Sequence, residues 1–154
     1  MDRELLYKRL TRLCSMREYC KSDILRKIAA AADENIDAQE IISQLCSEKY
    51  LDEKRYASAF ARDKSALQGW GVQKIRAALQ AKRVEKEAIE YGLQQIEPEK
   101  ASKKLRSVLE AKFKTLKGEP QKKKESLLRF GLGRGYSYGE ILSIYDSITS
   151  NKND

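Results

Sequence analysis

The stretch Tyr50–Val84, YLDEKRYASAFARDKSALQGWGVQKIRAALQAKRV, carries the clearest local signals in the chain and decides how the rest is read. Asp52 stands where a carboxylate can accept from the first free N–H groups of a helix, and the pattern predicts that helix to about Leu67. Tyr56 and Phe60 are one helical turn apart and share a face. Gly69 and Gly71 flank Trp70 and stop the helix. A second helix follows with Ile75 and Leu79 on one side, and Val84 closes the turn after it. A third begins near Glu85 and is expected to bury Ile89 and Leu93.

This three-helix block has a weaker copy on each side. Aligned on the apolar residue before each third helix, Ile36, Val84 and Tyr136 correspond; so do Ile41, Ile89 and Ile141, and then Leu45, Leu93 and Tyr145. Upstream of the anchors, Ile28, Leu79 and Leu132 complete the register. A period of about 50 residues, with helix caps recurring beside the apolar positions, indicates a repeat architecture. The expected fold is all-α: three tandem three-helix repeats, at about 2–49, 50–97 and 98–149, forming a single domain. Each third is near the lower size limit for a self-sufficient core, so the thirds should depend on one another.

The remaining helices are placed by the same signals. Residues 3–17 carry Leu6, Leu10 and Leu13 on one face. Ser22 is the expected N-cap of a helix with Ile24, Leu25 and Ile28, prolonged by the alanines at 29–32. Asp37 with Glu40 has capping-box spacing ahead of Ile41, Ile42, Leu45 and Cys46. Pro98 suits the first position of a long helix bearing Leu105, Leu109, Phe113 and Leu116, which Gly118 and Pro120 end. The next helix is expected from about Lys122 to Phe130, with a break at Gly131-Leu132-Gly133-Arg134-Gly135. Ser137 and Glu140 form a second capping box before Ile141, Leu142, Tyr145 and Ile148, and the polar tail 150–154 should fray. No stretch alternates with the period of a strand, so essentially no sheet is expected.

Composition narrows the function. No apolar run approaches the roughly 18 residues that span a bilayer, and the N-terminus has no apolar core of a secretory signal. The three cysteines, Cys14, Cys20 and Cys46, then read as reduced cytosolic thiols. With no histidine in the chain, His-based triads and His-ligated metal sites are excluded. The cysteines lack the spacing of a zinc site, and the glycine-rich run 131–135 follows no strand and lacks the lysine of a phosphate loop. The expectation is a non-enzyme with no cofactor and no bound metal, acting in the cytoplasm as a monomer.

Charge carries the positive case. Between Pro98 and Gly135 there are 12 Lys and Arg against 4 Glu, a local excess of 8 in a chain whose net charge is +8. Lys103, Lys104, Arg106, Lys112, Lys114, Lys122, Lys123, Lys124, Arg129 and Arg134 are therefore the candidate contacts to nucleic acid or to a nucleoprotein. Arg55, Arg62, Lys74 and Lys82 of the central block join them. Such residues suit phosphate, which gives affinity without reading sequence. A solubilising surface is the blander account of the same lysines. Trp70 is open to two readings, an exposed stacking residue or a plug in the joint between packed units.

The run Tyr50-Leu51-Asp52-Glu53-Lys54-Arg55-Tyr56-Ala57-Ser58-Ala59-Phe60-Ala61-Arg62, continued by Gly71, Ile75, Leu79, Lys82 and Val84, resembles the central signature of the RecX family, bacterial regulators of the RecA recombinase. The outer copies resemble it more loosely, through Ser22-Asp23-Ile24-Leu25 and through Arg129-Phe130 to Gly135-Tyr136-Ser137. Arg83 departs from the family, which usually has glycine after the lysine, so the turn there is expected to be recast. The resemblance implies an elongated, curved, solenoid-like array that binds along the groove of the RecA–DNA filament and inhibits recombinase and ATPase activity. It implies RecA and DNA, single- or double-stranded, as partners. Two other classes stay open on the residues alone: a general DNA-binding helical protein, and a helical adaptor for an acidic protein.

Overall fold

Nine α-helices and no strand make up the described residues of the computed structural model, which are 1–31, 33 and 35–152. They are α1 (Arg3–Met16), α2 (Lys21–Ala31), α3 (Ala38–Ser47), α4 (Glu53–Ala66), α5 (Val72–Ala81), α6 (Lys86–Gln94), α7 (Pro98–Thr115), α8 (Pro120–Gly133) and α9 (Tyr138–Lys152). The chain divides into two compact units, one of residues 1–60 and 79–94, the other of 61–78 and 95–154.

The first unit closes over a core of Leu6, Leu10, Ile24, Ile28, Ile41 and Leu45, each at most 2% exposed. Asp2 caps α1 by accepting from Leu5 N–H at 2.8 Å. Asp37 caps α3, accepting from Gln39 and Glu40 at 3.0 and 3.3 Å. Asp52 caps α4 through Arg55 N–H at 3.0 Å. Each short acidic side chain satisfies a donor that the helix leaves unpaired, as the sequence indicates. Ser22 does not cap α2. That helix starts two residues earlier, with Ile24 N–H donating to Cys20 O at 3.2 Å, and the Ser22 hydroxyl donates to Lys82 O at 2.7 Å. On α6 the buried face is Ala88, Ile89 and Gly92, while Leu93 is only half-buried. The reason is close approach: a Cβ at Gly92 would stand 2.6 Å from Ala57 Cβ on α4, so the tightest helix contact falls one residue before Leu93.

The turn after α5 keeps, at the departing residue, a conformation that suits glycine. Arg83 takes φ 59°, the left-handed conformation that glycine adopts without strain, and Val84 N–H closes the helix end on Leu79 O at 3.2 Å. Lys49, after α3, does the same with φ 66°.

The second unit is built on α7, α8 and α9, whose inner faces meet through Leu105, Leu109, Phe113, Leu127, Ile141 and Ile148. Pro98 and Pro120 both occupy first helical positions, where a missing N–H removes no bond. Pro120 therefore opens α8, two residues before the expected start. The capping box of α9 is complete: Glu140 N–H donates to Ser137 Oγ at 3.1 Å, and Ser137 N–H to Glu140 Oε1 at 2.9 Å. The helix ends inside the expected run 131–135, at Gly133, and the first residues of the polar tail are helical to Lys152. Leu132, expected inside, is 50% exposed. With α8 unbroken, the inward position after Leu127 is Gly131, one turn on, and a Cβ there would meet Ile141 Cδ1 at 2.6 Å. Ala32 and the residues 153–154 of the predicted tail lie outside the described residues.

Candidate nucleic-acid interface

Within the second unit a glycine-lined joint organises the basic side chains. Beyond α4, Gly69 turns the backbone with φ 68°, and Trp70 N–H returns to Lys64 O at 2.8 Å. The start of α5 lies against the end of α8: Gly71 N–H donates to Arg134 O at 2.8 Å and Gln73 N–H to Gly135 O at 3.2 Å. The Tyr136 hydroxyl donates to Gly69 O, and Arg134 Nη2 to Gln68 O. Burial pushes the Tyr136 phenol above its ordinary range against the pull of the Arg134 charge, which keeps the hydroxyl protonated and donating. A Cβ at Gly71 would lie 2.2 Å from Gly135 O, so the two backbones can approach only without side chains.

Cations gather around this joint. Lys74 Nζ stands 4.4 Å from the centre of the Trp70 ring and Lys64 Nζ 4.7 Å from it. Lys104 and Arg134 press on Gly69, 3.4 and 3.0 Å from where its Cβ would be. The Arg134 guanidinium also lies 5.9 Å from the Phe130 ring centre, and Lys112 Nζ reaches the same ring at 5.2 Å. Lys74, Lys112 and Arg134 thus rest their charged heads on aromatic rings, while Lys104 packs its stem, through Cγ, against Gly69 beside them. Cation–π contact fixes the head without neutralising it, so the charge stays available to an anion. Lys123 and Lys124 form a second set, over Phe113 at 5.7 Å and Tyr145 at 5.5 Å.

The other candidates are placed differently. Lys103, Lys114, Lys122, Arg129 and Arg62 are exposed. Arg106 is paired with Glu110 at 2.7 Å, one turn along α7. In the first unit Arg55 bonds Glu18 at 2.6 Å and the carbonyls of Lys49 and Tyr50 at 3.0 and 3.3 Å, a clamp on the entry to α4. Lys82 is held by Asp23 at 2.8 Å. Sequence reading did not gather Lys64. Its signal is weak, a lysine six residues before a lone tryptophan that has another four residues after it. Trp70 is half-buried, and its ring carries two ammonium groups. The arrangement suits phosphate oxygens. Among the described residues no group of three or more Cys, Asp and Glu is placed to hold a metal ion.

Comparison with known proteins agrees with the central signature. The sequence profile of the RecX second three-helix domain matches residues 52–93. A regulatory protein RecX from Vibrio campbellii is 32% identical over 129 residues, covering 84% of this chain and 82% of that protein. The chain belongs to the RecX family. Another regulatory protein RecX, from Pectobacterium atrosepticum, is 30% identical over 151 residues, covering 88% of this chain and 92% of its own length. Among solved structures, RecX from Lactobacillus salivarius superposes with a TM-score of 0.81 over 95% of this chain and 96% of its own, at 18% identity. A second RecX crystal structure gives a TM-score of 0.82 at 20% identity, over 93% of this chain and 72% of its own. At such identities the likeness speaks for the fold, and the helical-repeat architecture of this RecX protein matches it.

Proposed function

We propose that this RecX protein regulates recombination by binding the RecA–DNA filament along its groove and inhibiting its recombinase and ATPase activities, without catalysis of its own. Family membership supports the regulatory role. The observation that carries the DNA contact is the cationic set Lys74, Lys104, Lys112 and Arg134 around the Gly69–Gly71 joint. The ring-held heads of Lys74, Lys112 and Arg134 are in place before any ligand arrives, so less side-chain freedom is lost on binding phosphate than with solvated lysines. The more exposed Lys103, Lys114, Lys122 and Arg129, with the ring-held Lys123 and Lys124, extend the field and raise the encounter rate. Inhibition in this reading is steric. A chain of three repeats bridging neighbouring RecA subunits hinders the movement that accompanies ATP turnover and blocks entry of a second duplex.

The test is co-sedimentation with preformed RecA–ssDNA filaments and with the same ssDNA bare, near physiological salt, followed by the ssDNA-dependent ATPase rate. Preference for the filament and a reduced rate are expected. Equal binding to both makes the protein a general DNA binder, and an unchanged rate at saturation removes the inhibitory mechanism.

A further inference from the structure

The first unit contains a cationic depression that the charge distribution along the chain does not reveal. It has a volume of about 450 Å³ and is lined by Arg17, Tyr19, Asp23, Arg26, Lys27 and Lys82. Arg17 follows the end of α1, Tyr19 lies in the link to α2, Arg26 and Lys27 are on α2, and Lys82 arrives from the end of α5. The floor is Tyr19, 9% exposed, with the Arg17 guanidinium 4.4 Å and the Lys27 ammonium 5.4 Å from its ring centre. One carboxylate faces these charges. Asp23 Oδ1 accepts from Lys82 Nζ and from Arg26 Nη2, both at 2.8 Å. Burial alone would raise the Asp23 pKa, but hydrogen bonds from Lys82 and Cys20 and the Lys82 charge outweigh it, so the group stays ionised.

Four cations therefore share a single anion. Among the described residues Arg17 and Lys27 have no carboxylate within ion-pair distance, their partner being the tyrosine face. The Ser22 hydroxyl, donating to Lys82 O at 2.7 Å, fixes the backbone from which Lys82 extends, so the constellation is held from both of its elements. The Arg17 guanidinium fork and the Lys27 ammonium on an aromatic floor, beside the Asp23-paired Arg26 and Lys82, suit a tetrahedral oxyanion. We propose that this depression is a phosphate-binding site, filled by a phosphodiester of a nucleic-acid strand or by free phosphate. The inference deepens the DNA-binding half of the proposed function and shares no residue with the cationic set around the Gly69–Gly71 joint.

The test uses the full chain and fluorescence anisotropy with a labelled single-stranded oligonucleotide, titrated from 50 to 300 mM salt. Arg17→Ala/Lys27→Ala is compared with Arg9→Ala/Arg12→Ala, which removes the same charge elsewhere on α1, and with Lys122→Ala/Lys123→Ala/Lys124→Ala. If two phosphate contacts are lost, the first variant binds roughly tenfold more weakly at 0.15 M salt and its log–log salt slope becomes shallower by about 1.4. Its melting temperature is unchanged, and the α1 control loses less than half as much. A variant indistinguishable from that control overturns the site. If it does so while the triple lysine variant loses binding, the proposed function survives and only this site falls. If the wild type fails to bind the oligonucleotide, DNA contact falls, and the site is judged by inorganic phosphate alone. Amide shifts at residues 17–27 on adding millimolar phosphate, absent in Arg17→Ala/Lys27→Ala, support a free-phosphate site. No shift overturns it.

Discussion

Replacing Gly71 by alanine adds one methyl group at the point where the joint of the second unit has no room for it. The new Cβ would stand 2.2 Å from Gly135 O, 2.3 Å from Gly135 C and 2.5 Å from Tyr136 N. An ordinary carbon–oxygen contact is roughly 3.3 Å, so the two backbones must part by about 1 Å. Both hydrogen bonds across the joint, 2.8 Å at Gly71 and 3.2 Å at Gln73, would then pass out of range. Overpacking costs about 1–3 kcal/mol and each lost bond about 0.5–1.5 kcal/mol, which together give roughly 2–6 kcal/mol. Against a total stability of about 5–15 kcal/mol this is a large share.

Urea unfolding followed by circular dichroism measures the loss. Trp70, the only tryptophan in the chain, sits next to the substitution, so its fluorescence reports whether the joint itself has opened. The internal control is Gly133→Ala, where a Cβ meets nothing within 4 Å and the residue ends a helix. That change should be neutral or stabilise by up to about 1 kcal/mol. A Gly71→Ala protein losing less than about 1 kcal/mol, with unchanged Trp70 emission, would refute the reasoning, because the close approach would then not be what holds the cationic set together.

Arg83→Gly relieves a left-handed strain of about 1–2 kcal/mol and gives back about 0.4–1 kcal/mol of unfolded-chain entropy, so chemical denaturation should show a net gain of up to about 1.6 kcal/mol. Ile89→Ala should cost about 2–5 kcal/mol and Leu93→Ala clearly less, since Ile89 is 3% exposed and Leu93 half-buried; equal costs would contradict the placement of α6. Glu53 has a buried, unpartnered Oε2, and burial raises its carboxyl pKa above the unfolded value. Its ionised form therefore destabilises the fold at neutral pH, a penalty that fades as pH falls through the raised pKa and is gone below the unfolded value of about 4.3. Glu53→Gln should thus be more stable than the wild type at pH 7, with melting curves converging near pH 4.

The core was legible where local chemistry and periodicity agree. Asp37, Asp52 and Ser137 each announce a helix start, and the isoleucines aligned by the repeat, Ile41, Ile89 and Ile141, are at most 3% exposed. Register failed where a glycine does the packing. Hydrophobic pattern cannot see that Gly131, not Leu132, faces inward, because the bulk at that position is supplied by Ile141 from α9. The same blindness moved the buried face of α6 toward Leu93 when Gly92 lies against Ala57. Ser22 failed for another reason: its hydroxyl was read as serving the nearest backbone, yet it bonds a carbonyl 60 residues away.

The basic residues show the same division between what sequence distance preserves and what it hides. A run such as Lys122–Lys124 is visible as charge, but charge along the chain says nothing of which heads rest on rings. Lys112 and Arg134 are far apart in sequence and meet at Phe130; Arg17 and Lys82 meet around Tyr19 and Asp23. In both places an aromatic side chain holds the cation without cancelling it, which an acidic partner cannot do. Arg106, by contrast, belongs to the densest basic segment and is already paired with Glu110, while Arg55 is consumed by Glu18 and two carbonyls. What separates a cation available to a phosphate from one committed to the fold is therefore the nature of its neighbour, aromatic or carboxylate. On that argument Arg17 and Lys27 present more usable positive charge than Arg55 from the family's central signature.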